Sequence, residues 1–223
     1  MSLFTGHFTT QHLFCNGPMS NLLALQCAIV ALGGVLNVYF FKKVKNANAL
    51  AASVIQVFIV VSGFATVING WTGELTFGLL AAYFVYDGLH SLLNYQSMLD
   101  VVFIFHHAVG IGAMHIIATS IREIELYTVI FITCIEISNF FRNVTDGWEI
   151  TWPRPMLYYT FPFCKLLGPV WATNEIFKVI PDEHFIKAIF TAVVFGVITL
   201  CDAHQTHGEY RESGTESKTV KSE

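Results

Sequence analysis

Apolar residues run along this chain in blocks of about twenty, separated by short polar or Gly/Pro-rich breaks, rather than in the alternating or one-faced patterns of a soluble fold. A helix of that length crosses a ~30 Å hydrocarbon layer at ~1.5 Å per residue. The first block is Asn21–Phe41, closed by Lys42, Lys43 and Lys45, and the second is Ala49–Ile68. Asn69–Gly73 forms a tight turn that sets Trp71 at interface depth, and Leu75–Tyr95 and Met98–Thr119 follow as the third and fourth spans. The fifth is Ile124–Phe141, after which the Gly, Pro and Trp of Asn143–Pro155 predict an interfacial loop. Pro162, Lys165 and Pro169 interrupt the sixth, Met156–Val179, and predict a kinked helix or two short pieces. The seventh is Glu183–Leu200. The pattern predicts an all-α polytopic membrane bundle of about seven spans, with a non-membrane segment at 1–20, a transmembrane domain at 21–204 and a disordered tail at 205–223.

Composition agrees with that reading. The chain is 54% hydrophobic and only 13% charged, with a mean hydropathy of +0.56. No basic patch interleaved with exposed aromatics accompanies the net charge of -4, so no nucleic-acid partner is expected. The five cysteines are odd in number, scattered and without CxxC spacing, and read as small core residues. The N-terminus lacks the basic start of a cleaved signal, so the first span is expected to act as an uncleaved one. Placing the N-terminus outside puts Lys42, Lys43, Lys45, Arg142, Arg154, Arg211, Lys218 and Lys221 on the inner side against Arg122, Lys178 and Lys187 outside, as the positive-inside rule requires. The sequon Asn143-Val144-Thr145 then faces the cytosol and is expected to stay unused.

Within these apolar blocks lie ionisable groups, which at membrane depth are functional candidates. Asp87, His90 and Asn94 take i, i+3, i+7 spacing on the third span, and Glu136, Asn139 and Asn143 repeat it on the fifth. Asp100 and His107 align on the fourth, with His106 about 100° round the helix. Counting from the turn at 96–97 places Asp87 and His106 each roughly 13 Å deep, and counting from Arg122 places His107 and Glu136 roughly 21 to 23 Å deep. Asp87, His106, His107 and Glu136 are therefore expected in one central layer, Asp87 level with His106 and Glu136 level with His107, turned toward a shared polar cavity, with Asp87 or Glu136 orienting one of the histidines. A carboxylate paired with histidine suits general-base or nucleophilic work. Acyl transfer to a lipid fits such a water-poor site.

Tyr83-Phe84-Val85-Tyr86-Asp87, followed by Asp100-x5-His106-His107, resembles the TLC (TRAM, Lag, CLN) domain family of endoplasmic-reticulum membrane proteins. Glu136-Ile137-Ser138-Asn139-Phe140-Phe141-Arg142 is similar to a stretch of its shorter members. The resemblance implies a core of about six helices around a lipid-accessible pocket, in the endoplasmic reticulum membrane, with the N-terminus lumenal and the C-terminus cytosolic. It carries the acyl-transfer role of the ceramide synthases' paired histidines onto His106 and His107, with acyl-CoA as co-substrate, membrane lipids as partners and no permanently bound cofactor. On the fifth span Glu136 stands where the ceramide synthases carry two aspartates. In that and in its compact size the chain looks more like the small TLC-domain proteins linked to phospholipid composition and membrane fluidity.

Two readings of the site stay open: an intramembrane acyltransferase, or a non-catalytic lipid-binding protein that adjusts membrane composition. Asp87, Glu136, His106 and His107 are the catalytic candidates; His90, Asn94, Asp100, Tyr83, Tyr86, Asn139 and Lys165 are candidates for lining or binding. For each there is a structural alternative. The histidines could join helices by hydrogen bonds, Asp100 could favour a helix N-terminus, and Lys165 could meet an anionic lipid or CoA phosphate or snorkel to the interface. No metal is expected, because His90, His106, His107 and His115 lack HxxxH and HxxHH spacing.

Overall fold

The computed structural model describes residues 20–40, 46–70, 73–94, 101–102, 104–112, 124–148 and 160–180, with isolated positions between 185 and 200. The helices are α1 (Ser20–Val35, continued by a π-wound stretch Leu36–Phe40), α2 (Ala47–Asn69), α3 (Glu74–Leu93), α4 (104–112), α5 (Glu125–Trp148) and α6 (Gly168–Val179, preceded by a π-wound stretch Phe161–Leu167). No strand occurs among the described residues. Residues 1–180 form one compact unit and 181–223 a second; in the second, the described positions 185–186, 189, 193, 196–197 and 200 are helical.

In the first unit, α2 packs along α5, α1 along α3, and α6 against α5, while α2 also meets α3. The α2–α5 pair runs antiparallel and is drawn close by small residues. A side chain at Gly63 would collide with the Thr133 hydroxyl, and one at Gly147 with Leu50. Ala51, Ala52, Ser53 and Ser62 are further small residues buried along α2. Small residues let two backbones approach, and the hydroxyls stay satisfied by bonding their own helix. Thus Ser53 donates to the Leu50 carbonyl (2.7 Å), Thr66 to Ser62 (3.0 Å) and Thr133 to Val129 (2.7 Å). Ser62 and Thr76 hydroxyls meet at 3.0 Å and join α2 to α3.

The helix ends follow from local chemistry. Gly70 closes α2 in the left-handed region (φ 66°), its N–H bonding the Thr66 carbonyl at 3.0 Å. The start of α3 is capped from a distance, since Glu125 of α5 accepts the Gly73 N–H. Its other end is closed by Asn94, whose backbone and side-chain amides both donate to the His90 carbonyl, at 3.0 and 2.9 Å.

Sequence and structure differ at three places. α5 runs to Trp148, so the first residues of the predicted interfacial loop are helical. Tertiary contacts override the turn signal there: Asn143, Val144 and Thr145 are buried, and Gly147 presses on Leu50. The sixth block does not break at its prolines. It is π-wound from Phe161, and Pro169 falls in the first turn of α6, where a missing N–H costs nothing. Cys27 is exposed, and Cys134 and Cys164 are half-buried free thiols, rather than core residues. Among the described residues one helix, Ala47–Asn69, is long and apolar enough to cross a membrane, and Ala24–Phe40 is a shorter apolar helix. The polar stripe of α5 and the Asp, His and Tyr residues of α3 lower those helices' apolar character.

Candidate functional site

The buried polar side chains gather into two groups, both anchored on α2. The first is built on the α2 N-terminus. Asn48, in its first turn, donates from Nδ2 to Oδ1 of Asp87 (3.1 Å) and accepts at Oδ1 the Tyr86 hydroxyl (2.7 Å). Asn37, on the π-wound end of α1, donates to that same hydroxyl at 3.3 Å. The other carboxylate oxygen of Asp87 meets Nε2 of His107 at 3.3 Å. Four elements thus contribute one continuous run: Asn37, Tyr86, Asn48, Asp87, His107.

The run has one self-consistent direction. A carboxylate can only accept, so Asn48 must turn its NH2 toward Asp87 and its carbonyl toward Tyr86, which then donates. With Oδ1 of Asp87 engaged, Oδ2 is held for His107 and fixes the imidazole with its proton on Nε2, leaving Nδ1 as the basic nitrogen.

Aromatic rings enclose the histidine. Phe84 lies 5.1 Å from the His107 ring and 6.0 Å from His106, and Tyr83 meets His107 edge-on at 6.5 Å. The two histidine rings stand T-shaped at 5.2 Å. His107 is 6% exposed, whereas the Asp87 side chain is 21% exposed.

The second group surrounds Gln56, at mid-length of α2. Its Nε2 donates to Oε2 of Glu136 (2.9 Å) and its Oε1 accepts from Asn143 (3.0 Å). Asn139 reaches Oε1 of Glu136 at 3.5 Å and accepts from Lys165 Nζ at 2.6 Å. Every member is buried, Gln56 completely and Lys165 to 1% exposure. The eight residues between Asn48 and Gln56 separate the groups by about 12 Å along α2.

The single layer expected from the sequence is therefore two groups at different heights. Of the pairings left open, Asp87 meets His107, and Glu136 is bound by Gln56 and Asn139. Depth counted from a turn gives height but not rotation, and a one-residue step turns a side chain by about 100°. Lys165 does not snorkel; it points inward to Asn139. Asn94 is exposed and closes α3 rather than extending the Asp87 stripe, and His90 lies in the last turn of that helix. Tyr86 is a link in the hydrogen-bonded run, and Tyr83 packs on His107. Asp100, His115, the basic residues at 42–45, Arg122 and Arg154, Trp71, the 1–19 segment and the tail lie outside the described residues. Asn37, Asn48, Gln56 and Phe84 are not among the candidates read from the sequence, although Asn37 and Gln56 are lone amides within apolar runs, which is a signal of buried polar chemistry. Among the described residues no three His, Cys, Asp or Glu side chains are placed to share a metal ion.

Compared with protein-family models, curated proteins and solved structures, the chain matches none of them. Any functional reading therefore rests on the chemistry of these two groups.

Proposed function

We propose that this chain is a multi-span helical protein of the endoplasmic reticulum membrane, of the TLC type, that transfers a fatty acyl group from acyl-CoA to a lipid amine or hydroxyl. The observation that carries the reading is the Asp87–His107 contact of 3.3 Å, with the remaining carboxylate oxygen held by Asn48.

Asp87 lies six residues before the end of α3, about 9 Å from that end of the bundle. With seven spans and the N-terminus lumenal, this is the cytosolic end, where acyl-CoA arrives. The CoA moiety stays in water, the acyl chain runs inward among the helices, and the thioester reaches the dyad. His107 then takes the proton of the acceptor N–H or O–H as the acceptor lone pair attacks the thioester carbonyl, while the Asp87 carboxylate stabilises the imidazolium through Nε2–H. Collapse of the tetrahedral species breaks the C–S bond and the imidazolium returns the proton to the departing thiolate. The products are an amide or ester and free CoA thiol. Tyr83 and Phe84 exclude water, which would otherwise hydrolyse the thioester.

Purified protein given acyl-CoA and sphingoid, lysophospholipid or glycerol-based acceptors should form acylated product, and His107→Ala should abolish it. If no acceptor is acylated, or the variant keeps full activity, the proposal fails. A second reading, a non-catalytic lipid-binding protein that adjusts membrane composition, is favoured by the engagement of Glu136 with Gln56 and Asn139. Native mass spectrometry separates the two: a stoichiometric, exchangeable lipid without turnover supports the binder.

A further inference from the structure

Tyr86 is seated on α1 at both ends of its side chain. A methyl group at Gly33 would sit 2.6 Å from the Tyr86 ring, so the missing side chain there is what admits the ring. Four residues on, on the same face of the helix, Asn37 donates to the hydroxyl at 3.3 Å. The residue is buried, and its one proton goes to Asn48, which leaves none for a substrate.

That seat fixes a direction. Asn37 meets the hydroxyl through its amide N–H, so the oxygen accepts there and its proton goes to the Asn48 carbonyl at 2.7 Å. With its carbonyl committed, Asn48 turns its NH2 to Asp87 at 3.1 Å, and not the carbonyl that would repel a carboxylate. Asp87 then presents Oδ2 to Nε2 of His107 at 3.3 Å. We propose that Tyr86 is a positioning residue: from its seat on Gly33 and Asn37 it acts through Asn48 and Asp87 to set the tautomer and ring orientation of His107. Without the hydroxyl the Asn48 amide is free to turn, and the Asp87 side chain, 21% exposed, exchanges His107 for water. Any consequence for acyl transfer rests on His107 being the base of that reaction; the effect on the imidazole does not.

The test reads the imidazole itself. Tyr86→Phe keeps the ring on Gly33 and removes only the hydroxyl. In the full-length protein, carrying isotope-labelled histidine and held in nanodiscs, nitrogen NMR separates a ring nitrogen that bears a proton from one that does not. His107→Gln assigns the signal. Wild type is expected to carry the His107 proton on Nε2. Tyr86→Phe is expected to lower the ratio of the Nε2–H to the Nδ1–H form about fivefold, as the loss of one neutral hydrogen bond implies. Asn48→Leu, which keeps the volume, is expected to lower it further and carries the test if Tyr86→Phe does not fold. Gly63→Ala, which crowds Thr133 instead, is expected to lower the melting temperature and leave the ratio unchanged. A wild type without the Nε2–H preference, an unchanged ratio in the Tyr86 and Asn48 variants, or an equal fall in Gly63→Ala overturns the proposal. Where wild type transfers acyl groups, Tyr86→Phe should also lower kcat and leave KM unchanged. A fallen ratio with no acyl transfer by wild type to any acceptor leaves the positioning role standing and removes the acyltransferase reading; an unchanged ratio in an active enzyme does the reverse.

Discussion

Replacing Asn48 with alanine removes the link that joins Tyr86 to Asp87, and its effect can be worked out bond by bond. The hydroxyl contact at 2.7 Å is neutral and worth about 1 kcal/mol net. The amide–carboxylate contact at 3.1 Å is charge-assisted and worth about 1.5 to 3 kcal/mol in full burial, which the 21% exposure of Asp87 reduces to the lower end. The loss is thus about 2 to 3 kcal/mol. At roughly 2 to 4 °C per kcal/mol for a chain of this size, the melting temperature of the detergent-solubilised protein should fall by about 4 to 12 °C. The sharper measurement is a double-mutant cycle with Tyr86→Phe, in which the shared hydroxyl contact appears as a coupling of about 1 kcal/mol. Asn37→Ala, which loses only a 3.3 Å contact to the same hydroxyl, should cost less than about 1 kcal/mol. Additivity of Asn48→Ala and Tyr86→Phe within about 0.3 kcal/mol would refute the connected run and with it the fixed orientation of Asp87.

Other outcomes follow from the packing. Gly63→Ala should destabilise by about 1 to 3 kcal/mol, because its methyl meets Thr133, whereas Gly34→Ala, with no atom within 4 Å, should be neutral or stabilising; similar melting temperatures for the two would contradict the close α2–α5 approach. Lys165→Met leaves the Asn139 carbonyl oxygen without its 2.6 Å donor and should cost about 1 to 3 kcal/mol, much of it regained by adding Asn139→Leu; a double variant as unstable as the sum of the singles argues against that pairing. Expressed in a glycosylating host, the chain should show no mobility shift on glycosidase treatment, because Asn143 is buried with its amide donated to Gln56.

Much of the helical layout was legible in the sequence because α2 and α3 are bounded by residues that act locally. Gly70 ends one, and Glu74 favours the N-terminal dipole of the next. The α5 extension was not legible, since Asn143 and Gly147 are turn formers that become helical only because Gln56 and Leu50 receive them. The importance of Asp87 and His107 was visible from charge within an apolar run, and their pairing was not, because heights from turn counting carry no azimuth. Lys165 looked interfacial between two prolines. Its inward path depends on the π-wound stretch, which has no recognised sequence mark. The amides escaped because the search for buried chemistry was confined to ionisable groups, although Gln56 and Asn48 hold both carboxylates.

The pairing of α2 with α5 also sets a timetable for biosynthesis. Gln56 lies 80 residues before Glu136 and 87 before Asn143 in the chain. At ribosomal rates of about 5 to 20 residues per second, α2 precedes its partners by roughly 4 to 17 seconds. If the chain spans the membrane as proposed, α2 enters lipid during that wait carrying an amide whose final partners have not yet been made, and a water-lined insertion channel or a membrane chaperone shelters it. A nascent chain stalled before α5 is complete is then expected to stay bound to that machinery, held there by one glutamine.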